Sequence, residues 1–170
     1  LFRSTVAKEL SAKGKKVLML EWGGNRPIRG TNIQAATQFF QVGKTTLVTN
    51  GGLSMVRGIS AGGSSVYYYA TAFEPPIEML KKYDMDITEE VAEIRAELPV
   101  APLKDELIGP MAHRLMSSAR DLGYDWHKLP KFVYQDKCQA ECWRCNYGCP
   151  YGAKWNARFF VEAAQANGGE

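Results

Sequence analysis

The sequence predicts an α/β domain that contains a β-α-β unit and a parallel sheet. Residues 4–13 carry apolar side chains at helical spacing, and Gly14 stands where the helix is expected to end. Residues 17–20 form an unbroken apolar run, which is typical of a strand buried on both faces, as in a parallel sheet. The chain is therefore expected to open on the helix and the second strand of the unit, with the first strand missing.

Composition sets the class of protein. The chain has 170 residues, of which 45% are hydrophobic, and its formal net charge is +3. This charge is too small to indicate a nucleic acid or a membrane surface as the partner, and no apolar run reaches the roughly 18 residues of a membrane helix. All four cysteines lie in residues 138–149, too close together for a secreted disulfide framework, which favours a reduced, cytoplasmic setting.

The rest of the chain is mainly helical in pattern. Apolar spacing and breaker residues predict helices over 75–83, 86–98, 110–122 and 153–166. We therefore expect three regions: 1–73 in the sheet-bearing domain, 74–137 as a helical insertion or cap, and 138–170 as a cysteine-rich loop and a helix that return to the first domain. The segment GKTT at 43–46 lacks the earlier glycine of a phosphate-binding loop, so that interpretation is rejected.

Glu21 follows the apolar run directly. An acidic residue at the end of the second strand of a dinucleotide-binding unit accepts hydrogen bonds from the adenosine ribose hydroxyls. The alternative is an ordinary solvated acid, and Trp22 beside it could pack either on an adenine or in the core. The glycine fingerprint is absent, and its third glycine aligns near Phe2 or Arg3. The segment that would hold a pyrophosphate is therefore expected to precede Leu1.

A second glycine-rich stretch lies at residues 57–69. Gly62 and Gly63 remove side chains where a backbone could approach a ligand, and Ser64 and Ser65 add hydroxyl groups beside the exposed amides. Such a loop can hold a phosphate or the edge of a planar ring. The alternative is a tight turn that leads into a buried aromatic strand.

The cysteines allow two interpretations. Their spacing, C-x3-C-x2-C-x3-C before Pro150, misses the four-iron pattern by one residue, and only Cys142 and Cys145 form a zinc-type C-x2-C pair. An iron–sulfur electron-transfer module is therefore one candidate. The other is a metal-free loop that is shaped by Gly148, Pro150 and Gly152.

Four segments carry a resemblance to a known family: VAKELSAKGKKVLMLEWGG at 6–24, GGSS at 62–65, CWRCNYGCPYGAK at 142–154 and NGG at 167–169. Together they resemble the glucose–methanol–choline (GMC) oxidoreductases, which are flavoproteins, and most closely the members that act on long-chain or other bulky alcohols. The resemblance spans the whole chain but only the N-terminal third of a full family member. It implies a Rossmann-like FAD-binding domain that is truncated at both ends, lacks the substrate domain and uses its cysteines structurally.

The resemblance also implies a set of FAD-binding residues. Glu21 would bind the adenosine ribose, and residues 62–65 would lie along the pyrophosphate and the flavin. Ile59 stands where the family often has an arginine, with Arg57 two residues earlier, and Tyr68 replaces a common asparagine. The predicted cofactor-binding residues are Glu21, Trp22, Arg57, Gly62, Gly63, Ser64, Ser65 and Tyr68.

The function implied by the resemblance is oxidation of an alcohol CH–OH group by hydride transfer to the flavin. In the family the catalytic histidine lies near the C-terminal end, beyond this chain, and His113 and His127 are expected to be packing or surface residues. No residue here is assigned as the catalytic base. The fragment is expected to be inactive alone and to require the remainder of the enzyme or a complementary chain. A non-catalytic partner subunit is the third alternative.

Overall fold

The computed structural model describes residues 2–39 and 46–170, and most of GKTT (43–45) therefore lies outside the described residues. The chain divides into two compact units. Unit 1 comprises residues 1–69, 143–150 and 156–170, and unit 2 comprises residues 70–142 and 151–155. The predicted boundaries lie at 73/74 and 137/138, and the division into a domain, an insertion and a returning segment stays a prediction.

The elements are short. The helices are α1 (Phe2–Ala12), α2 (Asn32–Gln34), α3 (Ile77–Lys81), α4 (Thr88–Glu97), α5 (Pro110–Asp121) and α6 (Arg158–Ala166). The strands are β1 (Thr46–Val48), β2 (Ser54–Val56), β3 (Val100–Pro102) and β4 (Pro130–Phe132). A π-helical turn, Ala35–Phe39, continues α2, and 3-10 turns cover Gly63–Val66, Asp105–Leu107 and Arg144–Tyr147. Across the part of the chain that the structure describes, every helix is too short or too polar to cross a lipid bilayer.

In unit 1, α1 packs against α6. The buried face of α1 consists of small residues, Ser4, Ala7 and Ser11, so that the two helices approach closely. The helix ends where the sequence predicts, because Gly14 adopts a left-handed φ of +70°. The facing residues of α6 are Phe160, Val161 and Ala164, all of them buried.

The predicted strand at 17–20 is an extended segment whose backbone pairs with the last residue. Leu18 and Leu20 expose 70% and 79% of their surface, so the prediction of a strand buried on both faces was wrong. The N–H of Met19 donates to the carbonyl of Glu170 (2.7 Å), and the N–H of Glu170 donates to the carbonyl of Val17 (3.0 Å). This alternation is the hydrogen-bond pattern of parallel strands. The sheets assigned among residues 2–39 and 46–170 are two antiparallel pairs, β1–β2 and β3–β4. The parallel sheet stays a prediction.

In unit 2, β4 pairs with β3 so that Phe132 lies opposite Val100. The chain returns beside β4 through a bridge between Val133 and Lys154, and the N–H of Trp155 donates to the carbonyl of Phe132 (2.9 Å). Because Lys154 is engaged in this bridge, α6 begins only at Arg158. The prediction of a helix from residue 153 was therefore wrong at its start.

Candidate functional site

Unit 1 contains a cavity of about 720 Å³. Its walls are the first two turns of α1, the segment that follows the extended residues 17–20, the loop at 57–64 and one face of α6. Six of the eight predicted cofactor-binding residues line it: Glu21, Trp22, Arg57, Gly62, Gly63 and Ser64.

Backbone contacts join two walls of the cavity that are far apart in the sequence, the segment after Glu21 and the loop at 57–64. Gly24 and Ser60 form a parallel bridge, and the N–H of Ala61 donates to the carbonyl of Gly24 (3.2 Å). A Cβ atom at Gly23 would overlap the backbone of Ile59, so only glycine allows this approach. The bridge therefore holds the residues just after Glu21 against the start of the glycine loop.

Glu21 lies at the exposed edge of the cavity. One carboxylate oxygen, Oε1, accepts the N–H of Gly23 at 2.6 Å, which fixes the side chain over the turn that follows the extended segment. Trp22, next to it, exposes 72% of its surface. The cavity wall also carries two cations, Arg3 and Arg57. Glu170 also lines the cavity, so two carboxylates and two cationic groups share it. This arrangement suits a ligand with both hydroxyls and phosphates.

The glycine loop uses its two glycines differently. Gly62 and Gly63 both have left-handed φ angles, +86° and +58°. A Cβ atom at Gly62 would lie 2.7 Å from Cγ of Arg158 and 3.0 Å from its backbone nitrogen, whereas a Cβ atom at Gly63 would meet nothing within 4 Å. Gly62 is therefore required for packing against the start of α6, and Gly63 leaves open space on the cavity side.

The two serines also differ. Ser64 lines the cavity, and its hydroxyl accepts the N–H of Gly58 at 3.0 Å. Ser65 is not among the lining residues. Its hydroxyl donates to the carbonyl of Gly62 (2.6 Å) and accepts the N–H of Ala157 (2.9 Å), so it ties the loop to the beginning of α6.

Tyr68 also lies outside the cavity lining. Burial raises the pKa of its hydroxyl well above the usual range, and the nearby Cys145 adds to this effect. Its neighbour Tyr67 is buried in the core of unit 1 with Ala35 and Val66. Burial likewise raises the pKa of Tyr67, although its hydroxyl lies 3.4 Å from that of Ser60. Neither tyrosine is among the residues that line the cavity.

The N-terminus of α1 is a wall that the sequence did not identify as a site. Phe2, Arg3 and Ser4, in the first turn, line the cavity. The first N–H groups of a helix have no partner within the helix, and the helix dipole favours an anion there. The alignment of the missing glycine fingerprint with Phe2 or Arg3 was the available signal for this wall.

The remaining wall is mainly apolar and was not predicted. Met19 contributes from the extended segment, and Val161 and Ala164, with the polar Gln165, contribute from α6. Because apolar residues of these types occur equally in a core, the sequence carried no signal that they border a cavity.

The cysteine-rich loop is a packed turn. Gly148 and Cys149 have left-handed φ angles of +100° and +54°, and Cys149 is buried. A Cβ atom at Gly148 would lie 2.7 Å from Cγ2 of Ile28, and one at Gly30 would overlap the ring of Pro150. The glycine and proline of this motif thus fix close contacts within unit 1.

The four cysteines form no disulfide; Cys138 and Cys142 belong to unit 2, and Cys145 and Cys149 belong to unit 1. In residues 2–39 and 46–170, no three His, Cys, Asp or Glu side chains are grouped so that they could hold a metal ion. The iron–sulfur alternative stays a prediction.

No protein-family model matches the chain, and no curated protein matches it significantly. The ligand of the cavity is therefore inferred from the residues that line it.

Proposed function

We propose that the cavity of unit 1 binds the adenosine and pyrophosphate part of FAD, and that the chain is a portion of an FAD-dependent oxidoreductase that oxidises the CH–OH group of an alcohol. The observation that carries the proposal is that Glu21, the first turn of α1 and the loop residues Gly62–Ser64 border one cavity. They lie far apart in the sequence, and each has a chemical counterpart in a dinucleotide.

The residues fit the parts of such a ligand. The carboxylate of Glu21 is an acceptor for the two vicinal ribose hydroxyls. The N–H groups that begin α1, together with Arg3, suit a pyrophosphate. Gly63, with open space beside it, lets a flat ring or a phosphate approach the backbone. The cavity volume of about 720 Å³ lies within the roughly 300–1,000 Å³ of small-molecule sites.

When bound, FAD would supply the acceptor of the hydride that leaves the alcohol carbon. The residues of this chain bind and orient the cofactor. The two histidines lie in unit 2: His113 has its Nε2 3.2 Å from the carbonyl oxygen of Asp105, and His127 is exposed beside Asp125. Neither histidine lines the cavity of unit 1, and the GMC resemblance implies a catalytic histidine beyond this chain. We therefore propose that the proton acceptor comes from the remainder of the enzyme or from a complementary chain, so the 170-residue chain alone should not turn over alcohol.

The proposal is tested by titrating the chain with FAD and with ADP, followed by calorimetry. Glu21→Gln keeps the size of the side chain but removes its charge, and should weaken both ligands by about tenfold or more, since a hydrogen bond to a charged group contributes roughly 1.5–3 kcal/mol. Glu162→Gln, at an exposed position of α6 outside the cavity, is the matched control and should leave both affinities unchanged. Equal affinities for wild type and Glu21→Gln would contradict the proposal.

The same titration separates two kinds of dinucleotide. A carboxylate at the ribose repels a 2′-phosphate, so adenosine 2′,5′-bisphosphate should bind more weakly than ADP. Glu21→Gln should reduce this preference. The colour of the purified protein addresses the alternative: bound flavin gives a yellow protein, and an iron–sulfur centre on the cysteines gives a brown protein that contains iron.

A further inference from the structure

The sequence contains two Asn-Gly pairs, Asn50-Gly51 and Asn167-Gly168. An asparagine followed by glycine is the arrangement most prone to deamidation. The backbone nitrogen of the next residue must reach the side-chain carbonyl carbon of the asparagine, and glycine has no side chain to obstruct this approach. The other four asparagines are each followed by a residue with a side chain. The structure places both Asn-Gly pairs in turns, but it gives them different hydrogen bonds.

Asn50 lies at the tip of the β1–β2 hairpin. The N–H of Gly52 donates to the carbonyl of Thr49 (2.9 Å), which closes a β-turn with Asn50 and Gly51 at its two central positions. Gly52 follows with a left-handed φ of +77°, as in a three-residue hairpin loop, and residues 50–52 are all exposed. Within the part of the chain that the structure describes, the N–H of Gly51 and the side chain of Asn50 make no hydrogen bond. Both reacting groups are therefore open to solvent.

Asn167 lies in the turn that ends α6, where the backbone is held by hydrogen bonds. The N–H of Gly168 donates to the carbonyl of Gln165 (2.9 Å), and the left-handed Gly168 caps the helix. Two residues further on, the carbonyl of Glu170 accepts the N–H of Met19 (2.7 Å). Ring closure at Asn167 would require the nitrogen of Gly168 to leave its acceptor and would disturb both the cap and this pairing. The fold therefore protects Asn167.

We propose that Asn50 is a site of deamidation and isoaspartate formation in the folded chain, and that Asn167 is protected from it. The backbone nitrogen of Gly51, once it has lost its proton, attacks the side-chain carbonyl carbon of Asn50, and the side-chain nitrogen leaves as ammonia. Water then opens the succinimide ring at one of its two carbonyl carbons and gives aspartate or isoaspartate. The reaction consumes only water, and either product carries a new negative charge.

Isoaspartate alters the tip of the hairpin. Its main chain runs through the side-chain carbon and is one methylene longer, so the turn closed between Thr49 and Gly52 cannot keep its geometry. Residues 50–52 do not line the cavity of unit 1, so FAD binding should be unchanged and the inference does not depend on the proposed function. The isoaspartyl carboxylate makes the hairpin tip a substrate for enzymes that methylate such groups.

The test incubates the chain at mildly alkaline pH in ¹⁸O-labelled water, digests it with trypsin and compares two peptides by mass spectrometry with a sample taken at time zero. The peptide 45–57 contains Asn50, and the peptide 159–170 contains Asn167. In the folded chain Asn50 should react about tenfold faster than Asn167 or more, since breaking the hydrogen bonds at the end of α6 costs roughly 1–3 kcal/mol. In urea the two rates should become similar.

Two variants assign the product. Methyl transfer from S-adenosylmethionine by an isoaspartyl methyltransferase should label the incubated wild type, should be lost in Asn50→Gln, and should persist in Asn167→Gln, the matched control. The proposal is overturned if peptide 45–57 is unchanged in the folded chain, or if both peptides react at the same rate there. A rate at Asn167 that stays low in urea would show that the fold does not protect it, and would overturn that part of the proposal.

Discussion

The cavity of unit 1 and a second cavity, of about 430 Å³ in unit 2, are built from different parts of the polypeptide. The cavity in unit 1 is bordered by Gly23, Gly58, Gly62 and Gly63, and its shape depends on backbones that approach closely. The cavity in unit 2 has no glycine in its lining and depends on the volumes of side chains on α5 and beside β4. A backbone-lined cavity suits phosphates and flat rings, whereas a side-chain-lined cavity selects an apolar shape. The two should therefore respond to different substitutions.

The largest effect is expected at Gly62. Gly62→Ala imposes a left-handed conformation on a residue with a Cβ atom and places that atom 2.7 Å from Arg158, so it should destabilise the fold by about 2–4 kcal/mol. Gly63→Ala carries only the conformational cost, about 1–2 kcal/mol, because nothing lies within 4 Å. Urea denaturation measures both. Equal losses of stability at the two positions would show that the contact with Arg158 does not contribute to the destabilisation.

The next effect distinguishes the two serines of the loop. Ser65→Ala removes the acceptor of the Ala157 N–H, which lies in a buried part of unit 1, and should destabilise the fold by about 1–3 kcal/mol. Ser64→Ala, at an exposed position, should cost about 0.5–1 kcal/mol and act mainly on ligand affinity. The measurements are urea denaturation and FAD titration. A larger stability loss for Ser64→Ala would reverse the roles assigned to these residues.

A third effect is the response to alkali. Burial raises the pKa of Tyr67 above its ordinary value of 10.0, so the folded chain holds this proton more tightly than the unfolded chain. The stabilising contribution of the neutral hydroxyl is complete below pH 10 and is lost as the pH rises through the folded-state pKa. Stability measured by urea denaturation should therefore fall above about pH 10. Tyr67→Phe should reduce this slope, whereas Tyr124→Phe, an exposed control, should not.

The smallest effect belongs to unit 2. The hydrogen bond and charge of Lys128 lower the pKa of Asp105 below its ordinary value of 3.8, although this carboxylate is exposed. Its contribution is present above the unfolded-state value of 3.8 and is lost as the pH falls through the lower folded-state pKa. Asp105→Asn should be slightly less stable than wild type near neutral pH and equal to it in strong acid. A difference that persists in strong acid would assign the effect to another cause.

Local signals in the sequence predicted the helices well. Gly14 ends α1, and α4 and α5 lie within the predicted ranges 86–98 and 110–122, because their apolar spacing and capping residues are close together in the chain. Asp86 lies just before α4 and accepts hydrogen bonds from the N–H and the hydroxyl of Thr88, the first residue of the helix, whereas Ile87 occupies the N-cap position. The start of α6 was missed, because Lys154 and Trp155 pair with Val133 and Phe132, which lie 21 and 23 residues earlier in the chain.

Contacts between residues far apart in the sequence also limit the prediction of the sites. Glu21 and Gly62–Ser65 were expected to lie along one ligand; Glu21 and Gly62–Ser64 line one cavity, and Ser65 does not. Ser65 and Tyr68 were assigned to the same site because sequence proximity cannot tell which face of a tight turn a side chain occupies. The cavity of unit 2 could not be predicted, because its lining residues are of the types that also fill cores. Only packing decides that Met116 borders a space.

The bridge between Gly24 and Ser60 has a consequence for protein engineering. Gly24 and Ser60 pair directly through their backbones. The turn between β1 and β2, at residues 50–52, lies between them in the sequence and is exposed. Doubling the length of a flexible loop costs only about 0.6 kcal/mol of closure entropy. A reporter peptide or affinity tag inserted between Gly51 and Gly52, which are not among the cavity-lining residues, should therefore leave the spacing of Glu21 and the glycine loop intact.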